Sequence, residues 1–202
     1  KISTKGGKGA TASSKNLLDS IDELNQTPNG KKMLKKYKEV IDLLREVQKR
    51  GQAGAPLYLG VKYDIIDEDE AAVIRDLKNE APIDLANIKK LKLPKNLVKL
   101  ALDRSTDNPK SVSLYFHLIA AVAHKAAVKV NEETNFSKAA ADILNNGALV
   151  QVYTKARQGK DTWTLDEFNT VYPGKSIKGV FFSAGKTYYS TGIKGNFTFK
   201  ID

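Results

Sequence analysis

Residues 111–130 read SVSLYFHLIAAVAHKAAVKV, and Lys125 and Lys129 are the only charged side chains among them. Apolar residues recur in this stretch at the three- and four-residue spacing of a helical face. We expect a central and largely buried helix here. The residues before it are rich in helical patterns, and most of the residues after it have the patterns of strands.

Helical patterns precede this stretch. Apolar residues at helical spacing predict a helix over residues 33–47 that ends at Gly51. Asp67, followed three residues later by Glu70, is typical of a capping box at the start of another helix. We therefore expect this acidic run to cap a helix and not to bind Mg²⁺ or Ca²⁺, since it lacks the pattern of an EF-hand loop.

Strand patterns lie at the two ends of the chain. Residues 1–5 alternate like a strand already under way, so we expect a fragment or a processed product. β-Branched and aromatic residues with glycine turns dominate residues 148–202 and predict an antiparallel β-meander, joined by the N-terminal strand. The predicted fold is α+β, with a helical N-terminal two-thirds packed on this meander. We expect one domain over residues 1–202, in which residues 1–147 are mainly helical.

The composition excludes several classes of protein. The chain has 202 residues, of which 41% are hydrophobic and 28% charged, as in a globular protein. It has no cysteine, which excludes disulfide scaffolds, thiolate zinc sites and cysteine nucleophiles and favours a reducing compartment. No apolar stretch approaches the roughly 20 residues of a membrane span. We therefore expect a cytoplasmic location and no membrane partner.

Positive charge is concentrated at the two ends, and the formal net charge is +10. Residues 1–60 have 12 basic and 6 acidic residues, residues 151–202 have 8 and 4, and the middle has 13 of each. If the ends meet in the fold, they form one positive face that attracts phosphates and releases their counterions. Lysine outnumbers arginine, which favours contact with a phosphate backbone over reading of bases. The alternative is a surface that only confers solubility.

The predicted phosphate contacts include a glycine loop. Residues 5–11 read KGGKGAT and precede a helix, and backbone N–H groups in such a loop can surround a phosphate. The loop matches neither a Walker A motif nor a dinucleotide fingerprint, and a flexible surface loop is the alternative. We expect DNA or another polyanion to be bound by the following residues: Lys5, Lys8, Lys15, Lys32, Lys35, Lys36, Lys155 and Arg157.

Side chains suited to catalysis or metal binding are sparse. His117 and His124 lie seven residues apart, about 10 Å along one helix, which is too far for both to bind one metal ion. We predict packing roles for both histidines and no metal site. Aromatic residues between Tyr153 and Phe199 alternate with lysines and could stack on bases, but the core of a sheet is the favoured interpretation.

Two segments resemble known proteins. Residues 1–14 and 192–202 resemble uncharacterised phage-encoded proteins, which implies a location in the host cytoplasm or in association with a virion. Ser3 and Lys5 on the first strand are similar to the lysine-bearing strand of restriction-endonuclease-like folds. This resemblance implies a metal-dependent nuclease with Lys5 as catalytic residue and Mg²⁺ as cofactor. Position 3 is serine where that family has glutamate, and its acidic partner would precede Lys1.

Three hypotheses for the function follow. The leading one is a protein that binds DNA or another polyanion non-specifically through its basic terminal regions, without a cofactor. The first alternative is a fragment of a metal-dependent restriction-like nuclease, which leaves enzymatic activity open. The second alternative is a phage virion component or protein-interaction component. All three are compatible with the same charge distribution, and each leaves the oligomeric state open.

Overall fold

A computed structural model describes residues 2–6, 14–104, 111–146, 150–154, 180–184 and 197–201. The helices are α1 (Ser14–Leu24), α2 (Pro28–Lys36), α3 (Lys38–Lys62), α4 (Glu68–Asp76), α5 (Lys95–Asp103), α6 (Leu114–Glu133) and α7 (Phe136–Asn146). The strands are β1 (Ile2–Gly6), β2 (Val150–Thr154), β3 (Val180–Ala184) and β4 (Phe197–Ile201). Two 3₁₀ helices span Leu77–Asn79 and Leu85–Lys90.

The chain divides into two compact units. Unit 1 comprises Lys1–Leu44, Asn135–Phe181 and Phe199–Asp202, and unit 2 comprises Arg45–Thr134 and Phe182–Thr198. The prediction of a single domain, with residues 1–147 and 148–202 as its parts, stays a prediction.

The core of unit 1 is built from helices that each have one apolar face. Leu17 and Ile21 of α1 are buried, and α1 packs against α2 and α7. In α7, Phe136 and Ile143 are fully buried, and Ala139 and Ala140 between them leave room for close approach of the helices. Burial of such faces contributes roughly 25 cal/mol per Å² of apolar surface, which is what holds short helices together.

The core of unit 2 is organised around α6. Leu118, Ala120 and Val122 of this helix are fully buried, and α4 and α5 pack against it. The prediction of a central and largely buried helix in residues 111–130 is confirmed. Just before α6, Ile83 and Val112 form an isolated antiparallel bridge, with both N–H···O distances at 2.8 Å. This bridge fixes the chain that leads into the 3₁₀ helix Leu85–Lys90.

The boundaries of α2 and α3 differ from the predicted helix over residues 33–47. The structure has a break at Tyr37, which ends α2, and a helical path that continues past Gly51 to Lys62. Gly51 has φ 68° and ψ −167°, so the helix is interrupted there and resumes. Apolar periodicity runs through both breaks, which explains why the pattern alone did not separate the helices.

The α+β prediction is wrong. Across residues 14–104 and 111–146 the structure is 80% helical and has no strand. The strands that flank this part are five residues long each and form two separate two-stranded sheets, β1 with β2 and β3 with β4. Moreover, β1 and β2 pair in parallel, from Ile2 with Val150 to Gly6 with Thr154, whereas a meander requires antiparallel neighbours. Parallel pairing needs a long crossover, and here the helical residues between β1 and β2 provide it.

Candidate polyanion-binding surface

Helix α2 begins at a well-formed N-cap. The Thr27 hydroxyl accepts a hydrogen bond from the Gly30 backbone N–H at 3.1 Å and donates one to the Leu24 carbonyl at 3.3 Å. Pro28 occupies the first helical position, where its fixed φ suits the helix and no donor is lost. Gly30 is required because a Cβ there would lie 2.0 Å from the Leu24 carbonyl oxygen. The turn between α1 and α2 is therefore tightly defined.

The other end of α2 is fixed by Tyr37. This residue is buried, its backbone N–H donates to the Leu34 carbonyl at 3.0 Å, and its hydroxyl donates to the Asp142 carboxylate on α7. The pKa of Tyr37 is raised, first by the hydrogen bond to Asp142 and second by burial. Lys36 Nζ lies 5.0 Å from the centroid of the Tyr37 ring, at the range of a cation–π contact.

The surface of α2 that faces away from unit 1 is made of lysines. Four exposed residues form what we term the α2 lysine face: Lys31, Lys32, Lys35 and Lys36. At 3.6 residues per turn they cover a single side of the helix, opposite buried Gly30 and Leu34. Residues four apart are separated by about 6 Å along the axis. Helix α2 contains no acidic residue, so four positive charges stand together on nine residues.

These lysines have no ionic partner in the described part of the chain. The ion pairs there join Lys38 to Asp42, Arg50 to Glu46, Lys125 to Asp103 and Lys129 to Glu133. Three of the four pairs lie within one helix at a spacing of four residues. The neighbouring helix α1 has acidic side chains, but none is within ion-pair distance of the α2 lysine face. Within residues 14–104 and 111–146 its charge is therefore not neutralised by an ion pair.

The predicted binding residues are only partly brought together. Lys32, Lys35 and Lys36 share the α2 lysine face. Lys5 lies on β1, in register with Tyr153 of β2, and Lys15 lies in the first turn of α1. Lys8, Lys155, Arg157 and most of the glycine loop lie outside the described residues.

Lys31 is the member of the α2 lysine face that was not predicted. It lies before the helix predicted over residues 33–47, and no role was predicted for it. The signal that could have identified it is the spacing of four residues to Lys35, which places both side chains on one side of a helix.

His117 and the acidic run have structural roles, whereas His124 is exposed, so the predicted packing role is not found for it. Nε2 of fully buried His117 lies 2.7 Å from the Ala101 carbonyl oxygen of α5. Burial lowers the pKa of His117, and the charge of Arg104 lowers it further. The capping box at Asp67 and Glu70 is confirmed, with N–H···O distances of 2.7 and 3.2 Å in its two hydrogen bonds.

No metal site is found in the ranges that the structure describes: no group of three histidine, cysteine or carboxylate side chains there could hold an ion. The assignment of Lys5 as a catalytic residue with Mg²⁺ stays a prediction.

Comparison with protein-family models, with curated proteins and with solved structures gives no match. The resemblances to phage-encoded proteins and to restriction-endonuclease-like folds therefore stay predictions. None of the described helices combines the length and the apolar character that crossing a bilayer requires.

Proposed function

We propose that this protein binds a polyanion such as DNA through the α2 lysine face, by contacts with phosphates that do not depend on base sequence. One observation carries the proposal: four exposed lysines share one side of a nine-residue helix that has no acidic residue. Each lysine that neutralises a phosphate releases a condensed counterion, so binding gains free energy from counterion entropy.

The chemistry of the side chains favours backbone contact over base reading. The α2 lysine face has no arginine, whose planar guanidinium is the group that forms paired hydrogen bonds with guanine. Lysine ammonium groups are compact point charges on flexible stems, which suit phosphates in many geometries. The fixed ends of α2, at Thr27 and Tyr37, limit the loss of backbone entropy on binding.

Salt dependence of binding is the direct test. We would measure fluorescence anisotropy with a labelled DNA duplex of random sequence between 50 and 200 mM NaCl, conditions over which phosphate-binding proteins lose affinity steeply. If all four lysines contact phosphates, log K should fall with log salt at a slope of about −3.6 from this face alone. A single strand should give a shallower slope of about −2.8.

Two variants with equal loss of charge make the test specific. The α2 triple variant, K31A/K32A/K35A, keeps Lys36 over Tyr37 and should lower the magnitude of the duplex slope by up to about 2.7. The paired triple variant, K38A/K125A/K129A, removes lysines that each form an ion pair in the folded protein and should lower it less. Equal slopes for the two variants would contradict the proposal.

The same samples test the nuclease alternative. Plasmid incubated with the protein and Mg²⁺ should be retarded on a gel without strand breaks if the protein only binds. Mg²⁺-dependent nicking that is abolished by Lys5→Ala would favour the nuclease instead.

A further inference from the structure

Unit 2 has a second group of lysines. The number of basic residues in residues 61–150 equals the number of acidic ones, so the net charge of this range does not reveal the group. Residues 85–102 contain five lysines and no acidic residue, whereas residues 64–84 contain eight acidic residues and two basic ones. We term the five the second lysine surface: Lys89, Lys90, Lys92, Lys95 and Lys99. All five are exposed.

The second lysine surface stands on well-packed structure. Lys89 and Lys90 end the 3₁₀ helix Leu85–Lys90, whose Ile88 is fully buried. Lys95 and Lys99 lie one turn apart on α5, and the opposite side of that helix is buried against α6 through Leu97. The positions of these charges are therefore set by a core, which reduces the entropy lost when a ligand binds.

The neighbouring acidic segment does not neutralise these lysines. None of the five takes part in an ion pair in residues 14–104 and 111–146, and Lys90 donates instead to the Asn87 side-chain oxygen at 2.8 Å. The contact between the start of α5 and α4 is made by the neutral amide of Asn96, which donates to Glu70 at 2.8 Å and to the Ile65 carbonyl at 3.0 Å. Opposite charges are thus adjacent along the chain, but residues 64–84 and 85–102 form no ion pair with one another.

We propose that the second lysine surface is a second contact for the phosphate backbone of the polyanion, an inference that rests on the proposed function. Residues 85–102 contain neither arginine nor an aromatic ring, so the surface offers point charges without groups that read or stack on bases. Each lysine of this surface that neutralises a phosphate releases a condensed counterion and so adds to the salt dependence of binding.

The test adds a third triple variant to the two described above. In K89A/K92A/K95A the same number of charges is lost as in the α2 triple and paired triple variants, and all three residues are exposed. The magnitude of the duplex slope should fall by up to about 2.7, as for the α2 triple variant and more than for the paired triple variant. The corresponding arginine variant, K89R/K92R/K95R, keeps the charges and should retain the slope, which separates loss of charge from loss of structure.

The outcomes for the two surfaces can be told apart. A slope for K89A/K92A/K95A equal to that of the paired triple variant overturns the second contact, and a reduced slope for the α2 triple variant would still uphold the proposed function. A reduction confined to K89A/K92A/K95A would retain the second lysine surface and reject the α2 lysine face. A variant lacking all six lysines should show the sum of the two reductions if both surfaces bind.

Discussion

Each unit has a group of exposed lysines, but the structure on which the lysines lie differs between the two units. In unit 1 the α2 lysine face stands on one nine-residue helix, which is shorter than isolated helices that are stable in water. That helix depends on its two ends, the Thr27 cap and the Tyr37 contact with Asp142. In unit 2 the second lysine surface spans a 3₁₀ helix, a loop and α5 above a buried core. The position of each lysine surface is thus set by hydrogen bonds and buried side chains beneath it, and those contacts differ between the units.

Truncation of the core should produce the largest effects. Phe136→Ala in unit 1 should cost about 3–5 kcal/mol of unfolding free energy, and Leu118→Ala in unit 2 about 2–5 kcal/mol, because both side chains are fully buried. Hydrogen exchange read amide by amide should show lost protection mainly in α1 and α7 for the first variant and in α4 and α5 for the second. Equal loss across both units in either variant would show that they unfold as one.

Substitution of glycines should cause the next largest losses of unfolding free energy, and the loss should differ between the two units. In Gly30→Ala the new Cβ meets backbone, the Leu24 carbonyl oxygen at 2.0 Å, whereas in Gly60→Ala it meets Val122 Cγ1 at 2.5 Å and the Ile66 side chain. Side chains can shift more easily than a backbone carbonyl, so we expect losses of about 3 kcal/mol for Gly30→Ala and about 1–2 kcal/mol for Gly60→Ala. Urea unfolding of each variant measures these losses.

Gly54→Ala is the matched control for the glycine pair. The Cβ in this variant meets only the Arg50 Cβ, at 3.3 Å, and alanine has the higher helix propensity. Its stability should stay within about 1 kcal/mol of the parent protein. A loss for Gly54→Ala as large as that for Gly30→Ala would mean that glycine matters in these helices for a reason other than close approach.

Tyr37→Phe should have a smaller effect, confined to unit 1. The variant keeps the ring beside Lys36 and removes the hydroxyl that donates to Asp142, which should cost about 1–2 kcal/mol. The raised pKa of Tyr37 adds a pH dependence: the stabilisation is complete below the unfolded value of 10.0 and is lost as pH rises through the folded value. The difference in stability between parent and variant should therefore shrink above about pH 10. A difference that stays constant up to pH 11 would contradict this account.

The sequence predicted local features better than it predicted pairing. The long apolar period of residues 111–130 and the Asp67–Glu70 capping box are set by neighbours a few positions away, and both predictions are confirmed. The alternation in residues 1–5 and 150–154 is compatible with parallel or antiparallel neighbours, so the meander was wrong where β1 and β2 pair in parallel.

The candidate binding surfaces show the same difference between what neighbouring residues predict and what only the folded structure reveals. Lys32, Lys35 and Lys36 were predicted because they lie on the polar side of an evident helical pattern. The lysines of residues 85–102 were given no binding role, because residues 64–84 and 85–102 have opposite charges that cancel in a longer count. The separation of acidic residues from lysines along the chain indicates a charged surface only once the structure shows that α4 and α5 are joined by Asn96 and not by an ion pair.

The smallest predicted effect on the free energy of unfolding at neutral pH is that of His117 in unit 2. This effect becomes larger as the pH is lowered. Burial lowers the pKa of this residue, so the folded protein keeps the ring neutral while unfolded chains take up a proton below the ordinary histidine pKa of 6.5. The free energy of unfolding should therefore be unaffected by His117 above that value and should fall as pH drops below it. A proton NMR titration of the two histidine rings, with urea unfolding at each pH, measures both quantities.

His124 provides the internal comparison for this titration. It lies on the same helix but is exposed, and its pKa is also lowered, first by partial desolvation and second by Arg104. The His117 ring is buried and in contact with the Ala101 carbonyl oxygen, so it should stay neutral to lower pH than the His124 ring. The variant H124Q should therefore keep the acid-dependent loss of stability. If His117 titrates at or above 6.5, the ring is accessible to solvent, and the core of unit 2 is a less rigid support for the second lysine surface than the packing of α5 on α6 implies.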